Sequence, residues 1–401
     1  MIRYVLLTIF VMSCVVSAAR AEVRIGASYP GGNIVVEEIE RDVVYLHQDL
    51  RDTEGWWFYW NFEVRDAADR TLTFRFTNRN VIGTRGPAVS LDEGLTWSWL
   101  GYETVHELDG GVAFTYSFPP NQDAVRFAFA VPYQRSDLER FLARYDGSDH
   151  LETGVLATTR KGRDVTRLRI GAIDDEPRYR VLLTARHHSC ESMASFVIEG
   201  ILQAILADTD DGAWFREYVE VLAIPLMDTD GVEDGDQGKN RKPRDHGRDY
   251  EGESIYPEVA ALRDFVPAWS YGRLRIAMDI HCPYIRGEHN EVVYLVGSSD
   301  PGIWEEQQRF SRILESLPAP GLPFRSADNL PFGTAWNTGA NYTAGTAMPQ
   351  WVAGLDGVLL ATAIEMPYAN VGDTTVTPAK ARAFGHALAK AMRRYLEISS
   401  E

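Results

Sequence analysis

Four residues in this sequence have types and spacings that suit hydrolytic chemistry. His188 and Glu191 form an H-x-x-E pair directly after an apolar stretch at 179–184 and just ahead of a helical pattern. Imidazole nitrogen and carboxylate oxygen are both suitable zinc ligands, and this spacing can turn them toward one ion. Alone the pair is common, and it reads equally well as a surface histidine beside a helix-starting glutamate. Context changes that reading. His281 closes a second apolar run at 275–280, and a His/Glu/His set leaves a fourth coordination position open. Glu365 closes a third and very apolar run at 358–364. A carboxylate delivered into such surroundings needs a reason to be there. Beside a metal it would serve as a general base, taking a proton from water and passing it to a leaving amine.

The elements that must hold these residues come in two textures. From about 22 to 133 the chain alternates short β-branched and aromatic stretches with turn residues, as at 56–64, 71–76, 112–118 and 124–130. That spacing predicts a β-sandwich, in which nothing looks catalytic. Beyond it, Ser136 and Glu139 have the relation of a helix cap, and apolar strands then alternate with longer helical stretches. Strands are expected at 165–170, 179–184, 219–225, 274–280, 292–296 and 358–364. Helices are expected at 193–207, 257–265, 304–317 and 378–396. The fold class is therefore α/β, a mixed sheet flanked by helices over 134–401, preceded by an all-β sandwich over 22–133. In such sheets ligands gather at the carboxyl ends of strands, where the four residues fall.

Taken in order, the motifs resemble those of the zinc metallocarboxypeptidase family, especially its cytosolic-carboxypeptidase branch. Gly162-Arg163-Asp164, Ala185-Arg186-His187-His188-Ser189-Cys190-Glu191, Asp230-Gly231-Val232, Asp279-Ile280-His281 and Ile364-Glu365-Met366 follow the family's sequence of motifs. The branch also carries a β-sandwich ahead of its catalytic domain, and Val131-Pro132-Tyr133 followed by Ser136-Asp137-Leu138 resembles that junction. The resemblance implies one Zn2+ per chain on His188, Glu191 and His281, with Glu365 as the base. It implies that Asp245 holds the first zinc histidine and that Tyr342 caps the substrate. A cis peptide at Cys282–Pro283 is implied as well. His187, whose spacing from Glu191 does not match, is expected on the opposite strand face.

The sequence also departs from the family's pattern. Where the family grips a substrate carboxylate with Asn-Arg, this chain has Gly247-Arg248, so half of the clamp is missing. The arginine that polarises the scissile carbonyl falls, by ungapped counting, on Gly238. Arg241 is the expected substitute, with Arg244 as the other option, because an oxyanion needs a cation. No Lys or Arg lies between Tyr342 and Glu365, which argues against trimming of glutamate tails. The acidic run from Asp228 to Asp236 lacks the glycine and terminal glutamate of an EF-hand and is expected to be a surface loop.

Composition bounds the rest. Arg3, the apolar run 4–16 and Ser17-Ala18-Ala19-Arg20-Ala21 describe a signal peptide over 1–21, so export to the periplasm or medium is expected. A lipoprotein at Cys14 is the lesser alternative. The formal charge of −17 becomes −19 without Arg3 and Arg20, which disfavours nucleic acid and anionic membranes as partners. Only Cys190 and Cys282 remain after cleavage; they flank ligands of one metal, so they should be neighbours, and an oxidising compartment would allow them to pair. The leading reading is a zinc carboxypeptidase acting on peptides. The alternatives are a zinc amidase for peptidoglycan stem peptides or side-chain amides, and a zinc-binding protein without activity.

Overall fold

The computed structural model describes residues 22–399, apart from 109, 174–175 and 319–320; the expected signal peptide lies outside the described residues. Two five-stranded sheets occupy the N-terminal part, and they share an aromatic core of Trp60, Phe62, Phe74, Phe114 and Phe127. Ring centroids there lie 4.9–6.1 Å apart, the separations at which tilted and offset aromatic pairs are favourable. The strands expected at 71–76, 112–118 and 124–130 form at Thr71–Phe76, Gly111–Ser117 and Ala124–Ala128. The first expected strand is shorter, Asn61–Arg65, because 56–60 leaves the sheet and runs toward the second half of the molecule. The helix expected near Ser136 is Arg135–Leu142, and the carboxylate that closes its first turn is Asp137, which accepts from the Gln134 N–H at 2.9 Å.

The larger sheet has seven strands. Their order is Leu151–Thr158, Asp164–Gly171, Val219–Ile224, Tyr179–Ala185, Leu274–His281, Leu360–Glu365 and Tyr294–Val296. The four from Val219–Ile224 to Leu360–Glu365 run parallel, and the flanking strands are antiparallel. All six expected strands are present; Leu151–Thr158 is the addition, an edge strand with too little apolar alternation to announce itself. Alternate residues of the central strands serve different cores. Val181, Leu183, Val221, Ile276, Met278, Ile280 and Ile364 pack with helices Met193–Leu206 and Pro378–Ile398. Leu182, Leu222, Ile224, Leu274, Ala277 and Ala361 pack with Pro257–Ser270 and Met348–Val352. This two-residue period places Asp279, His281, Ala363 and Glu365 together on the second face.

The first core also runs without a break into the N-terminal sheets. Phe58 packs against Tyr284 and Tyr368, Phe129 against Tyr368, and Tyr59 against Phe129, at centroid separations of 5.0–5.8 Å. Among the described residues, no helix is long and apolar enough to cross a membrane.

Candidate metal centre and substrate cavity

His281 sits on the last residue of its strand, paired in register with Glu365 on the neighbouring strand. His188 and Glu191 come from the turn between Ala185 and the helix that starts at Met193. That turn opens with Arg186 in the left-handed region, φ 64°. The Arg186 guanidinium is buried and holds the turn from within. It donates from Nε to the Ser189 carbonyl at 2.9 Å and from Nη1 to the Tyr133 carbonyl at 2.9 Å. Seven residues of irregular backbone, 186–192, are thereby pinned between a strand and a helix.

Three donor atoms converge. His188 Nδ1 lies 3.0 Å from Glu191 Oε1, His281 Nδ1 lies 2.7 Å from Glu191 Oε2, and the two Nδ1 atoms are 3.2 Å apart. An ion bound at about 2.0 Å by tetrahedral nitrogen and oxygen ligands separates them by roughly 3.3 Å, so the set fits a zinc-sized cation. The tautomers agree with this. His188 Nε2 faces Asp245 Oδ1 at 3.1 Å and His281 Nε2 faces Asp279 Oδ2 at 2.7 Å. A carboxylate behind each ring takes the proton on the far nitrogen and leaves the Nδ1 lone pair facing inward. Burial pulls His281 down, but Asp279 and Glu191 together hold it well above the ordinary range. Burial raises Glu191, yet Lys239 and the two histidines hold it well below. Glu365, with its Oε2 buried and unpaired, is shifted up by burial and by Glu191.

Asp279 carries more than its motif suggested. Its Oδ1 accepts from Thr184 Oγ1 at 2.8 Å and faces His187 Nδ1 at 2.9 Å, while Oδ2 holds His281. His187 spends its other nitrogen on the Tyr250 hydroxyl at 2.7 Å. It therefore buttresses the centre from below and has no lone pair to give a metal.

The cavity has a volume of about 450 Å³ and is lined by His188, His281, Glu365, Asp245, Arg248 and Tyr342. Arg248 donates to the Gly247 carbonyl at 3.0 Å and lies over the Tyr342 ring at 5.0 Å. The Tyr342 hydroxyl donates to Asn337 at 3.0 Å. Gly247 does not itself line the cavity. A Cβ there would press within 3.0 Å of His188 Nε2 and 3.3 Å of Asp245 Oδ1, so glycine leaves that hydrogen bond undisturbed.

The cation is where the sequence reading needs correcting. Arg241 lies outside the cavity lining, ion-paired with Asp228 at 2.7 Å, Asp236 at 2.6 Å and Asp52 at 3.0 Å. Its guanidinium is committed to these three acids, of which Asp52 ties it to the N-terminal part of the molecule. Arg244 pairs with Asp249 and also stays outside. The cation beside the three convergent groups is Lys239, which lines the cavity as Arg248 does and whose Nζ is 3.1 Å from Glu191 Oε1. Burial lowers its affinity for a proton, but Glu191, Glu365 and Asp245 more than compensate, so it stays charged. Gly238 explains the displacement. Its φ is +77°, and a Cβ there would lie 2.2 Å from the Ser189 nitrogen, so no side chain fits where counting placed an arginine. The adjacent Lys239 was the signal available in the sequence.

Four smaller expectations also change. The cis X-Pro bond among the described residues is Lys242–Pro243, and not Cys282–Pro283. Cys190 and Cys282 are buried free thiols; Cys190 contacts the Tyr368 hydroxyl at 3.7 Å, and burial pushes its thiol up to about 12. The N-terminal sheets are not remote from the site, since Trp57, in the stretch that leaves the first sheet, lines the cavity with Lys239 over its ring at 5.8 Å. The acidic run 228–236 is not the surface loop expected: it forms the helix Thr229–Asp234, with Asp228 and Asp236 buried. Asp228, Asp230, Asp234 and Asp236 are each paired with an arginine.

No family model matches the chain. In sequence it is similar to cytosolic carboxypeptidase 2 of Xenopus tropicalis, 24% identical over 282 residues, which cover 61% of this chain and 28% of that protein. It is similar also to cytosolic carboxypeptidase 3 of Mus musculus, 29% identical over 164 residues, or 39% of this chain and 16% of that one. The chain thus matches less than a third of the length of either relative. In structure it superposes on a metallo-carboxypeptidase from Burkholderia cenocepacia with a TM-score of 0.77 at 19% identity, covering 94% of this chain and 100% of that one. A metallo-carboxypeptidase from Pseudomonas aeruginosa, solved with (2-guanidinoethylmercapto)succinic acid, gives 0.73 at 21% identity over 93% and 99%. The fold is the metallocarboxypeptidase fold, and the likeness in structure extends over 94% of this chain.

Proposed function

We propose that this chain is a zinc-dependent carboxypeptidase that hydrolyses a peptide bond at or near a free C-terminus. The observation that carries the reading is the inward-facing set of His188 Nδ1, Glu191 and His281 Nδ1, each ring backed by its own carboxylate, with Glu365 beside it in register. A non-catalytic binding protein has no need of an unpaired buried carboxylate next to such a set.

His188, Glu191 and His281 would hold the metal, which supplies Lewis-acid polarisation of the carbonyl and of water. Glu365, raised by burial, is placed to take a proton from the attacking water and return it to the departing amine. Lys239 is fixed beside Glu191 and stabilises negative charge that develops on the carbonyl oxygen. Arg248, steadied by the Gly247 carbonyl and the Tyr342 ring, receives the substrate's terminal carboxylate without an asparagine beside it. Asp245 and Asp279 act through the histidines, by orienting them.

The test uses zinc-loaded full-length protein and Glu365→Gln, with metal content read by mass spectrometry. The variant is expected to keep its zinc and to lose turnover of free-acid peptides, and amidation of the same peptides should stop cleavage by the parent protein. Full activity in Glu365→Gln, or equal cleavage of amidated peptides, would refute the proposal.

A further inference from the structure

Beyond the metal centre the cavity continues along the sheet, and its lining changes character. Strand Leu360–Glu365 presents Glu365, Ala363 and Ala361 to the cavity, and the antiparallel neighbour presents Tyr294 opposite Glu365 and Val296 opposite Ala363. Two residues of strand advance about 6.7 Å, so Ala361 lies roughly 13 Å from Glu365 along the sheet. Methyl groups at 361 and 363 leave that length open, whereas larger side chains would fill it. The charged residues lining the cavity (Lys239, Asp245, Arg248, Glu365) all belong to the metal end.

At the far end stands Gln307, buried, with its amide already spent. Its Oε1 accepts from the Ser298 N–H at 2.8 Å, and its Nε2 donates to the carbonyls of Val296 at 3.1 Å and Ala361 at 2.7 Å. The remaining polar lining beyond the metal end, Ser298, Ser299 and Gln350, is neutral, so among the described residues no charged group stands there to match a charge. An ionised side chain entering this recess would lose its water without gaining a countercharge, which is strongly unfavourable. The Tyr294 hydroxyl, buried near the Trp336 indole, has no hydrogen-bond partner of ordinary length and offers a single neutral polar contact at the mouth.

We infer that this recess selects the substrate's C-terminal residue, and that it takes a bulky uncharged side chain (aromatic or long aliphatic) and rejects acidic and basic ones. The inference rests on the carboxypeptidase reading, because Arg248 must hold the terminal carboxylate for that residue's side chain to enter the recess. Ala361 and Ala363 determine the size accepted, and the spent amide of Gln307 enforces neutrality.

The experiment is competitive hydrolysis by the zinc-loaded full chain, on free-acid peptides that differ only in the last residue, followed by mass spectrometry. Release of Phe, Leu or Met at least ~100-fold faster than Glu, Asp, Lys or Arg is expected. Ala363→Leu, with Ala363→Val as the milder companion, should lower the ratio of kcat/KM for C-terminal Phe over C-terminal Ala by about 10-fold or more. Cleavage that favours a charged last residue, or a ratio unmoved in both variants with their fold intact by circular dichroism, overturns the inference. If no peptide is cleaved, the carboxypeptidase reading fails separately. Calorimetric binding of N-acetyl-phenylalanine against N-acetyl-glutamate to Glu365→Gln then decides the recess by itself, and equal affinity or a preference for the glutamate would overturn it.

Discussion

Exchanging the lysine and the arginine that compete for one role should separate chemistry from architecture. Lys239 Nζ lies 3.1 Å from Glu191, inside the cavity, with 21% of its side chain exposed. Lys239→Met removes a preorganised donor for the developing oxyanion, which in hydrolases costs about 10²–10³ in kcat, or roughly 3–4 kcal/mol. Zinc should not be lost. The ammonium competes with a metal for Glu191, so its removal leaves that carboxylate a better ligand. Arg241 is only 6% exposed and neutralises Asp228 and Asp236, themselves 2% and 7% exposed. Arg241→Met leaves buried Asp228 without its cation and Asp236 with Arg51 alone, and breaking such a network costs about 3–5 kcal/mol of stability. Steady-state kinetics and urea unfolding on both variants should therefore cross over. Lys239→Met should be slow and stable; Arg241→Met should be unstable, with kcat per folded molecule within about threefold of the parent. The assignment is refuted if Lys239→Met keeps its kcat while Arg241→Met, still fully stable, loses it.

Other consequences can be measured independently. Asp279→Asn should weaken zinc binding about 10–100-fold in chelator competition, because His281 loses the acceptor that fixes its tautomer. Asp228 sits beside Arg241, which outweighs burial and holds its folded pKa below the unfolded value of 3.8. A depressed acid stabilises the fold in full above that value and loses its contribution as pH falls through the folded pKa. The urea midpoint should accordingly fall steeply below about pH 4, and less so in Asp228→Asn. Trp57→Ala should reduce kcat/KM with the fold retained, since the indole lines the cavity beside Lys239. Expression of 134–401 alone should give insoluble protein, because Phe58, Phe129 and their neighbours cover Tyr284 and Tyr368.

The candidate metal-binding set was legible because strongly patterned apolar strands lead into it: His281 and Glu365 end theirs, and His188 and Glu191 follow Ala185 in the turn before the next helix. The period of two in 274–281 and 360–365 both announces the strand and dictates which residues share the cavity face. The same pattern put Ala361 and Ala363 within reach of inference, though the alternation alone does not say that a cavity lies over them. Lys239 was not legible by counting, since the displacement depends on the left-handed Gly238 packed against Ser189, a tertiary contact 49 positions away in sequence. Arg241 was misread for the opposite reason. A cation near a catalytic motif looks functional until the acids that surround it, one of them Asp52 in the other half of the chain, are brought to it by folding. Trp57 was hidden in an aromatic run that reads as strand throughout, although 56–60 leaves the sheet.

The misreadings of Lys239 and Arg241 share one stretch of chain. Between Asp228 and Arg248 the only helices are Thr229–Asp234 and the short turn His246–Arg248, so most of its backbone groups need partners from elsewhere. On one side it is fastened to the N-terminal sheets. Gln237 accepts from the Tyr59 N–H at 2.6 Å and donates to the carbonyls of Asp49 at 3.0 Å and Tyr59 at 2.9 Å, and Gly235 accepts from Asn33 at 2.7 Å. On the other side it delivers Lys239 to Glu191 and Asp245 to His188. A carboxylate can orient a metal-binding histidine only if its own position is fixed, and here the N-terminal sheets do much of the fixing. The β-sandwich is thus part of the site's supporting structure as well as one of its walls. Loosening its grip, as Gln237→Ala would, should raise the zinc dissociation constant without touching any ligand; an unchanged constant in a folded variant would show that the catalytic half holds its own loop.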